Sequence, residues 1–234
     1  MSTRALPLGP GGLILPGPDP RSAEVPSPRG SRVAPDAVEG RNLIETEREG
    51  PEREAFEALE RGDHEATLNI LMSAYGDAVF RFCRQLVRDP EMANDVHQMT
   101  FVAAYQALGR FRGQSKWKTW LFGIARHRAL DAIKMERRRR KRFVQVEELP
   151  EPGEPDEGGT DELAVSHSLK AVLEHCLEKL APRIRSAVLL RYQNEMSYKD
   201  MAEVCGERAA TLQARVSRAM PALKRCLRSQ GVTP

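Results

Sequence analysis

The stretch from Ser197 to Ala219 constrains this chain more than any other part of it. It reads as helix, tight turn, helix. Ser197 with Asp200 makes a helix start, because a hydroxyl accepts an orphan backbone N–H and an acid favours the positive helix end. Met201, Ala202 and Cys205 fall on one apolar face, and Gly206 stands where a sharp turn wants positive φ. The next segment turns Ala209, Leu212, Val216 and Ala219 to one side and Arg208, Thr211, Gln213, Arg215, Ser217 and Arg218 to the other. That is the layout of a helix-turn-helix, whose second helix enters a DNA major groove. An ordinary helical hairpin with solvated arginines has the same pattern, so the rest of the chain must decide.

Upstream, apolar residues recur at helical spacing. Phe56, Leu59, Leu68, Leu71, Val79, Phe82 and Leu86 carry the first run, which Arg88-Asp89-Pro90 breaks. Met92, Ala93, Val96, Met99, Phe101, Val102, Tyr105 and Leu108 form the next helix. A loop from Gly109 to Ser115 leads to a third, with Trp117, Trp120, Leu121, Ile124, Leu130 and Ile133. Helix resumes near Glu162, and Pro182 opens a further helix with Ile184, Val188 and Leu190. Strand-like alternation is nearly absent. The expected fold is all-α: two small helical domains joined by an acidic flexible linker, the second carrying the helix-turn-helix. Residues 1–50 are rich in Pro, Gly and Ser and cannot bury enough surface to offset their ordering entropy, so a disordered extension is expected there. The expected domains are 51–142 and 163–230, with the linker at 143–162.

The formal net charge of +3 is an average over unlike blocks. Residues 108–142 are basic, with only Asp131 and Glu136 opposing, whereas residues 147–162 hold acids and no base. Such asymmetry suggests a polyanion-binding part beside an acidic tether. Cys83, Cys176, Cys205 and Cys226 are scattered, with no CxxC pair, and the histidines make no metal-ligand spacing with them. They read as small buried hydrophobes or free thiols in a reducing cytoplasm, not as a zinc site or disulfide framework. No cofactor is expected. No apolar run is long enough to cross a bilayer, so a cytoplasmic protein without membrane insertion is expected.

With both basic blocks in view, the chain resembles a bacterial RNA polymerase sigma factor of the extracytoplasmic-function type. The resemblance rests on Asp95-Val96-His97-Gln98-Met99-Thr100-Phe101, on Phe111 to Leu121, on Ile124-Ala125-Arg126-His127 with the arginine run, and on Ser197 to Leu223. It covers about residues 55–230. It implies two helical regions, called two and four, and partners in core RNA polymerase, promoter DNA and an anti-sigma factor.

The resemblance implies that Asp95, Gln98 and Phe101 lie on the helix that docks polymerase, the carboxylate and amide facing the partner and Phe101 packing beneath them. It implies that the loop from Phe111 and the following helix open and read the minus-ten element. Melted single strand needs cations along its phosphates and flat surfaces for its bases. Arg112, Lys116 and Lys118 supply charge; Trp117 and Trp120 offer aromatic faces or core. The resemblance further implies that Arg126, His127, Arg128 and Lys134 continue onto the helix facing that element, and that the run from Arg137 and Arg138 to Arg142 grips backbone without reading sequence.

On the recognition helix, the implied minus-thirty-five contacts are Arg208, Ala210, Thr211, Gln213, Ala214, Arg215, Ser217 and Arg218, with Lys199 on the helix before touching backbone. Arg and Gln read guanine and adenine edges bidentately. The chain departs from the family at three places. His127 stands where Asn is common, Arg208-Ala209-Ala210 removes a good cap, and Pro221 deletes a helix bond to the Ser217 carbonyl. The rival readings are a stand-alone helix-turn-helix transcriptional regulator and a small helical enzyme. The first leaves Asp95, Gln98 and Phe101 unexplained, and no carboxylate pair, Ser/His/Asp set or metal cluster supports the second.

Overall fold

Prolines and short polar caps set the helix boundaries. The computed structural model describes residues 50–143 and 163–232, and every regular element among them is helical. The expected extension and linker, apart from their edge residues, lie outside the described residues. The first unit holds α1 (Pro51–Glu60), α2 (His64–Val87), α3 (Pro90–Ala107), a 3-10 turn (Leu108–Arg110) and α4 (Trp117–Phe143). The second holds α5 (Leu163–Glu178), α6 (Pro182–Val188), a π-helical turn (Leu189–Gln193), α7 (Tyr198–Cys205) and α8 (Ala209–Ser229).

Pro51, Pro90 and Pro182 each sit in a first turn, where a missing N–H costs nothing. Asp63 caps α2 by accepting from the Ala66 N–H at 2.9 Å, and Asp89 caps α3 through the Met92 N–H at 2.8 Å. Between them Arg88 turns left-handed at φ 81°, ending α2 where the sequence places the break.

In the first unit Phe82 and Phe122 meet edge-on with centroids 5.4 Å apart, among fully buried Val79, Leu86 and Leu121. In the second, Leu190, Met201, Leu212 and Val216 are buried together. Sequence periodicity yields two units but does not say whether they touch. They do: one apolar core runs without interruption from Phe82 and Phe122 to Met201, Leu212 and Leu223. Helix α4 packs along α7, and at Gly123 their backbones come close: an added Cβ would lie 4.0 Å from the Val204 Cα.

Polar ties reinforce this packing. Lys118 Nζ donates to the Asn194 carbonyl at 2.7 Å, and Arg88 pairs with Glu178. Arg185, only 3 % exposed, donates to the Leu177, Glu178 and Leu180 carbonyls at the end of α5 and to the Leu86 carbonyl at the end of α2. Burial pushes its guanidinium pKa down to about 10. A cation is held here by helix C-terminal carbonyls, where the helix dipole favours positive charge.

One expectation is corrected. Cys176 and Cys226 are joined in a disulfide, with Cα atoms 5.7 Å apart, tying α5 to the end of α8. They are far apart in sequence and outside any CxxC pattern, so spacing carries no signal; only the packing of α5 on α8 brings them together. Cys83 and Cys205 are free thiols, as expected. Burial pushes the Cys83 thiol up to about 12, which makes it inert.

Candidate nucleic-acid interface

The faces that can meet partners are built from α3, the α4 segment and α8. On α3, Asp95 and Gln98 are exposed, and Phe101 is buried beneath them at 5 % exposure, its ring 5.1 Å from that of His97. This matches the expected placement. The sequence reading missed the apolar half of the same surface. Met99, Val102 and Tyr105 are 50 %, 57 % and 47 % exposed. Asp95, Met99 and Val102 follow an i, i+4, i+7 spacing, while Val96, Thr100 and Ala103 turn inward. A signal exists in the sequence: α3 holds too many apolar residues for one stripe, so some have to face out.

The loop before α4 is organised by aromatic packing. Trp117 is 2 % exposed, stacks on Phe111 at 4.0 Å, and donates its indole N–H to the Glu52 carbonyl at 3.1 Å. Trp120 is only half-buried and meets Trp117 edge-on at 5.6 Å. The structure thereby corrects the reading of Trp117 as an aromatic face for a base: α1 covers it, and Trp120 is the more open of the two. Arg112 and Lys116 are exposed. Lys118 is committed to Asn194.

Along α4 the expected cations separate into exposed and buried. His127 is exposed and lies 3.2 Å from Asp131; Arg128 is half-buried; Lys134, Arg137 and Arg138 are exposed. Arg140 and Arg139 bind Glu136, and these bonds hold its carboxyl below the usual carboxylate range. Arg126 differs from all of these. It is 8 % exposed, its Nε donates to the Ser186 hydroxyl at 3.3 Å, and its Nη2 lies 3.9 Å from a Glu207 oxygen.

The α7–α8 pair has the local chemistry its sequence implies. The Ser197 hydroxyl oxygen accepts from the Asp200 N–H at 3.1 Å, and its O–H donates to the Asp200 carboxylate at 2.6 Å. Gly206 is left-handed at φ 64°. Arg208 stands at the start of α8 with no side-chain cap bond, as its identity leads one to expect. Lys199 and Arg208 are exposed. So are Ala210, Thr211, Gln213, Ala214, Ser217 and Arg218, while Leu212, Val216 and Ala219 are buried. Ala210, Gln213, Ala214 and Ser217 recur at i, i+3, i+4 and i+7, a stripe of small and polar side chains narrow enough to enter a groove. Helix α8 runs through Pro221.

Arg215 is the exception on α8. Its two terminal nitrogens donate to the two oxygens of Glu207, at 2.8 and 2.5 Å. These bonds hold the Glu207 carboxyl below its ordinary range. Sequence reasoning did not single out Glu207, because the pairing spans eight residues and depends on the Gly206 turn.

Comparison with known proteins decides what these surfaces belong to. The model of Sigma-70 region 2 matches residues 71–139, from α2 into the basic end of α4. The model of Sigma-70, region 4 matches residues 170–223, from α5 into α8. Together they cover more than half of the chain. The chain belongs to the sigma-70 family. It is 29% identical over 181 residues to the RNA polymerase sigma-H factor of Pseudomonas aeruginosa, covering 75% of this chain and 93% of that one. It is 28% identical over 172 residues to the ECF RNA polymerase sigma-E factor of Escherichia coli K12, covering 71% and 89%. Among solved structures it resembles the sigma factor RpoE of Bartonella quintana in complex with the anti-sigma factor NepR. The TM-score there is 0.54 at 25% identity, covering 67% of this chain and 94% of that one. As a sigma factor of the extracytoplasmic-function type, this chain binds core RNA polymerase and directs it to promoters for transcription initiation.

Proposed function

We propose that α3 docks this sigma factor on polymerase through Asp95, Gln98, Met99 and Val102, with Phe101 holding the helix surface from below. The observation that carries this reading is the set of large apolar side chains left exposed beside a carboxylate and an amide on one buried-core helix. Contiguous exposed apolar side chains rimmed by polar ones mark interaction sites. It stays open while the two units are packed together, so docking can come first.

DNA reading is divided between the units. Arg112, Lys116, His127, Arg128 and Lys134 serve the minus-ten element, with Arg126 joining them once the units part, and Arg137 and Arg138 hold backbone. Lys199 and the exposed stripe of α8 serve the minus-thirty-five element. Elements ten and thirty-five base pairs upstream lie roughly 85 Å apart on a duplex rising 3.4 Å per pair. Units joined by ties such as the 2.7 Å Lys118–Asn194 bond cannot reach both. Polymerase therefore draws them apart, and the segment 144–162, at most roughly 65 Å when fully extended, is the tether that permits it. An anti-sigma factor like the one bound to the Bartonella relative is the opposing partner. Polymerase supplies the chemistry, and the protein works in the cytoplasm, where polymerase is.

The test is a pull-down with core polymerase followed by run-off transcription. D95A/Q98A and V102D should keep the wild-type melting temperature and lose polymerase binding and promoter-directed transcripts together. Folded variants that bind core polymerase as wild type does would refute the docking surface.

A further inference from the structure

Between the two units lies a cleft whose walls include Arg126 of α4, Arg183 of α6, Cys205 of α7 and Glu207 of the turn. The Glu207 side chain caps no helix. Its backbone N–H closes the turn by donating to the Ala202 carbonyl at 3.2 Å, and the residue at the start of α8 is Arg208. The carboxylate instead collects cations from three helices. It grips both terminal nitrogens of Arg215, faces Arg126 Nη2 at 3.9 Å, and feels the charge of Arg183. Three arginines around one oxyanion is the arrangement that recognises a phosphate. Here the anion belongs to the protein.

We infer that Glu207 holds the place of a DNA phosphate, keeping Arg215 occupied within the helix-turn-helix and Arg126 occupied while the two units are closed. The inference rests on the DNA-reading role proposed above for Arg126 and on the one that the sequence resemblance implies for Arg215. The Arg215 fork that would grip a guanine edge or two phosphate oxygens is spent on Glu207. Arg126 is held from the other unit by Ser186 and Glu207, so it is released only when the units separate. Glu207 thus lowers the DNA affinity of the free chain: opening the units frees Arg126, and Arg215 is freed when a DNA phosphate displaces the Glu207 carboxylate. Because the seat fits a phosphate, DNA itself competes for it once the units part.

The experiment measures binding of the free, full-length chain to labelled promoter duplex over a range of salt, for wild type, E207Q and E207A. Both variants should bind about tenfold tighter, with a log–log salt slope steeper by about 0.9 for each additional phosphate bound. The increase in affinity should vanish in E207Q/R215A. E203Q, which removes a charge from the exposed side chain one turn earlier, should change affinity far less. Melting curves establish that each variant is folded, and E207A replaces E207Q should the latter fail to fold. Unchanged or weaker binding by the folded variants would overturn the inference, and so would an equal increase in E203Q, which reports net charge alone. Run-off transcription by wild-type holoenzyme is measured alongside. If it starts at no promoter, the functional reading fails; if it starts normally and the Glu207 variants bind no tighter, only this inference fails.

Discussion

Arg185 shows how one residue can hold an element junction. Its guanidinium satisfies four backbone carbonyls at the ends of two helices, with no carboxylate partner among its hydrogen bonds. Replacing it with methionine keeps the volume and leaves buried acceptors unpaired, each costing about 1–3 kcal/mol. R185M should therefore lower the unfolding free energy by at least about 3 kcal/mol in urea titration; a loss within error of zero would mean water replaces the guanidinium freely. Glu207 makes a pH prediction. Its carboxyl is depressed in the folded chain, so its contribution to stability is fully present above the ordinary glutamate value of 4.5 and lost as pH falls through the folded value. The urea midpoint of wild type should exceed that of E207Q at neutral pH, and the gap should close on acidification. A gap that does not change with pH would deny the Glu207–Arg215 pair its ionic character.

At the scale of elements, the Cys176–Cys226 bond closes a loop with a sequence separation of 50 around α6, α7 and most of α8. Loop-closure entropy makes the oxidised chain more stable by roughly 4 kcal/mol. Denaturant unfolding with and without reductant should show that difference in wild type and none in C176S/C226S; equal stability of oxidised and reduced wild type would contradict it. Helix α8 begins without a side-chain cap, so R208S should stabilise it by about 1 kcal/mol by supplying one; thermal melting of the two chains checks this, and an unchanged or lower melting temperature would count against it. These elements also show what the sequence makes legible. Caps and breaks are local chemistry, so Ser197, Gly206, Asp89-Pro90 and Pro182 announce their helix ends in order. On α8, periodicity alone gives the buried side and Gln213 and Ser217 of the exposed stripe, whereas Ala210 and Ala214 come from the family resemblance. The disulfide, the burial of Trp117 and the Glu207 clamp depend on which surfaces meet, and no residue spacing carries that. Met99 and Val102 read as core in the sequence because hydrophobicity does not distinguish a core residue from an exposed apolar one.

At the scale of the whole molecule, the two units, separated in sequence by residues 144–162, share one core and cross-unit polar ties. Closed, the chain leaves the proposed docking face of α3 exposed and holds Arg126 across the units, while Glu207 occupies Arg215 within the second unit; on the proposed reading, the open chain spans two promoter elements. The described helices include none long and apolar enough to cross a membrane. The most direct measurement of this account is a spin-label distance between positions 88 and 178, whose side chains pair across the units. Labels attached through unnatural amino acids leave the native cysteines intact. The account predicts a single short distance in the free chain and a long one in the complex with core polymerase. The same short distance in both would contradict it, because the closed form would then be the one that reads promoters.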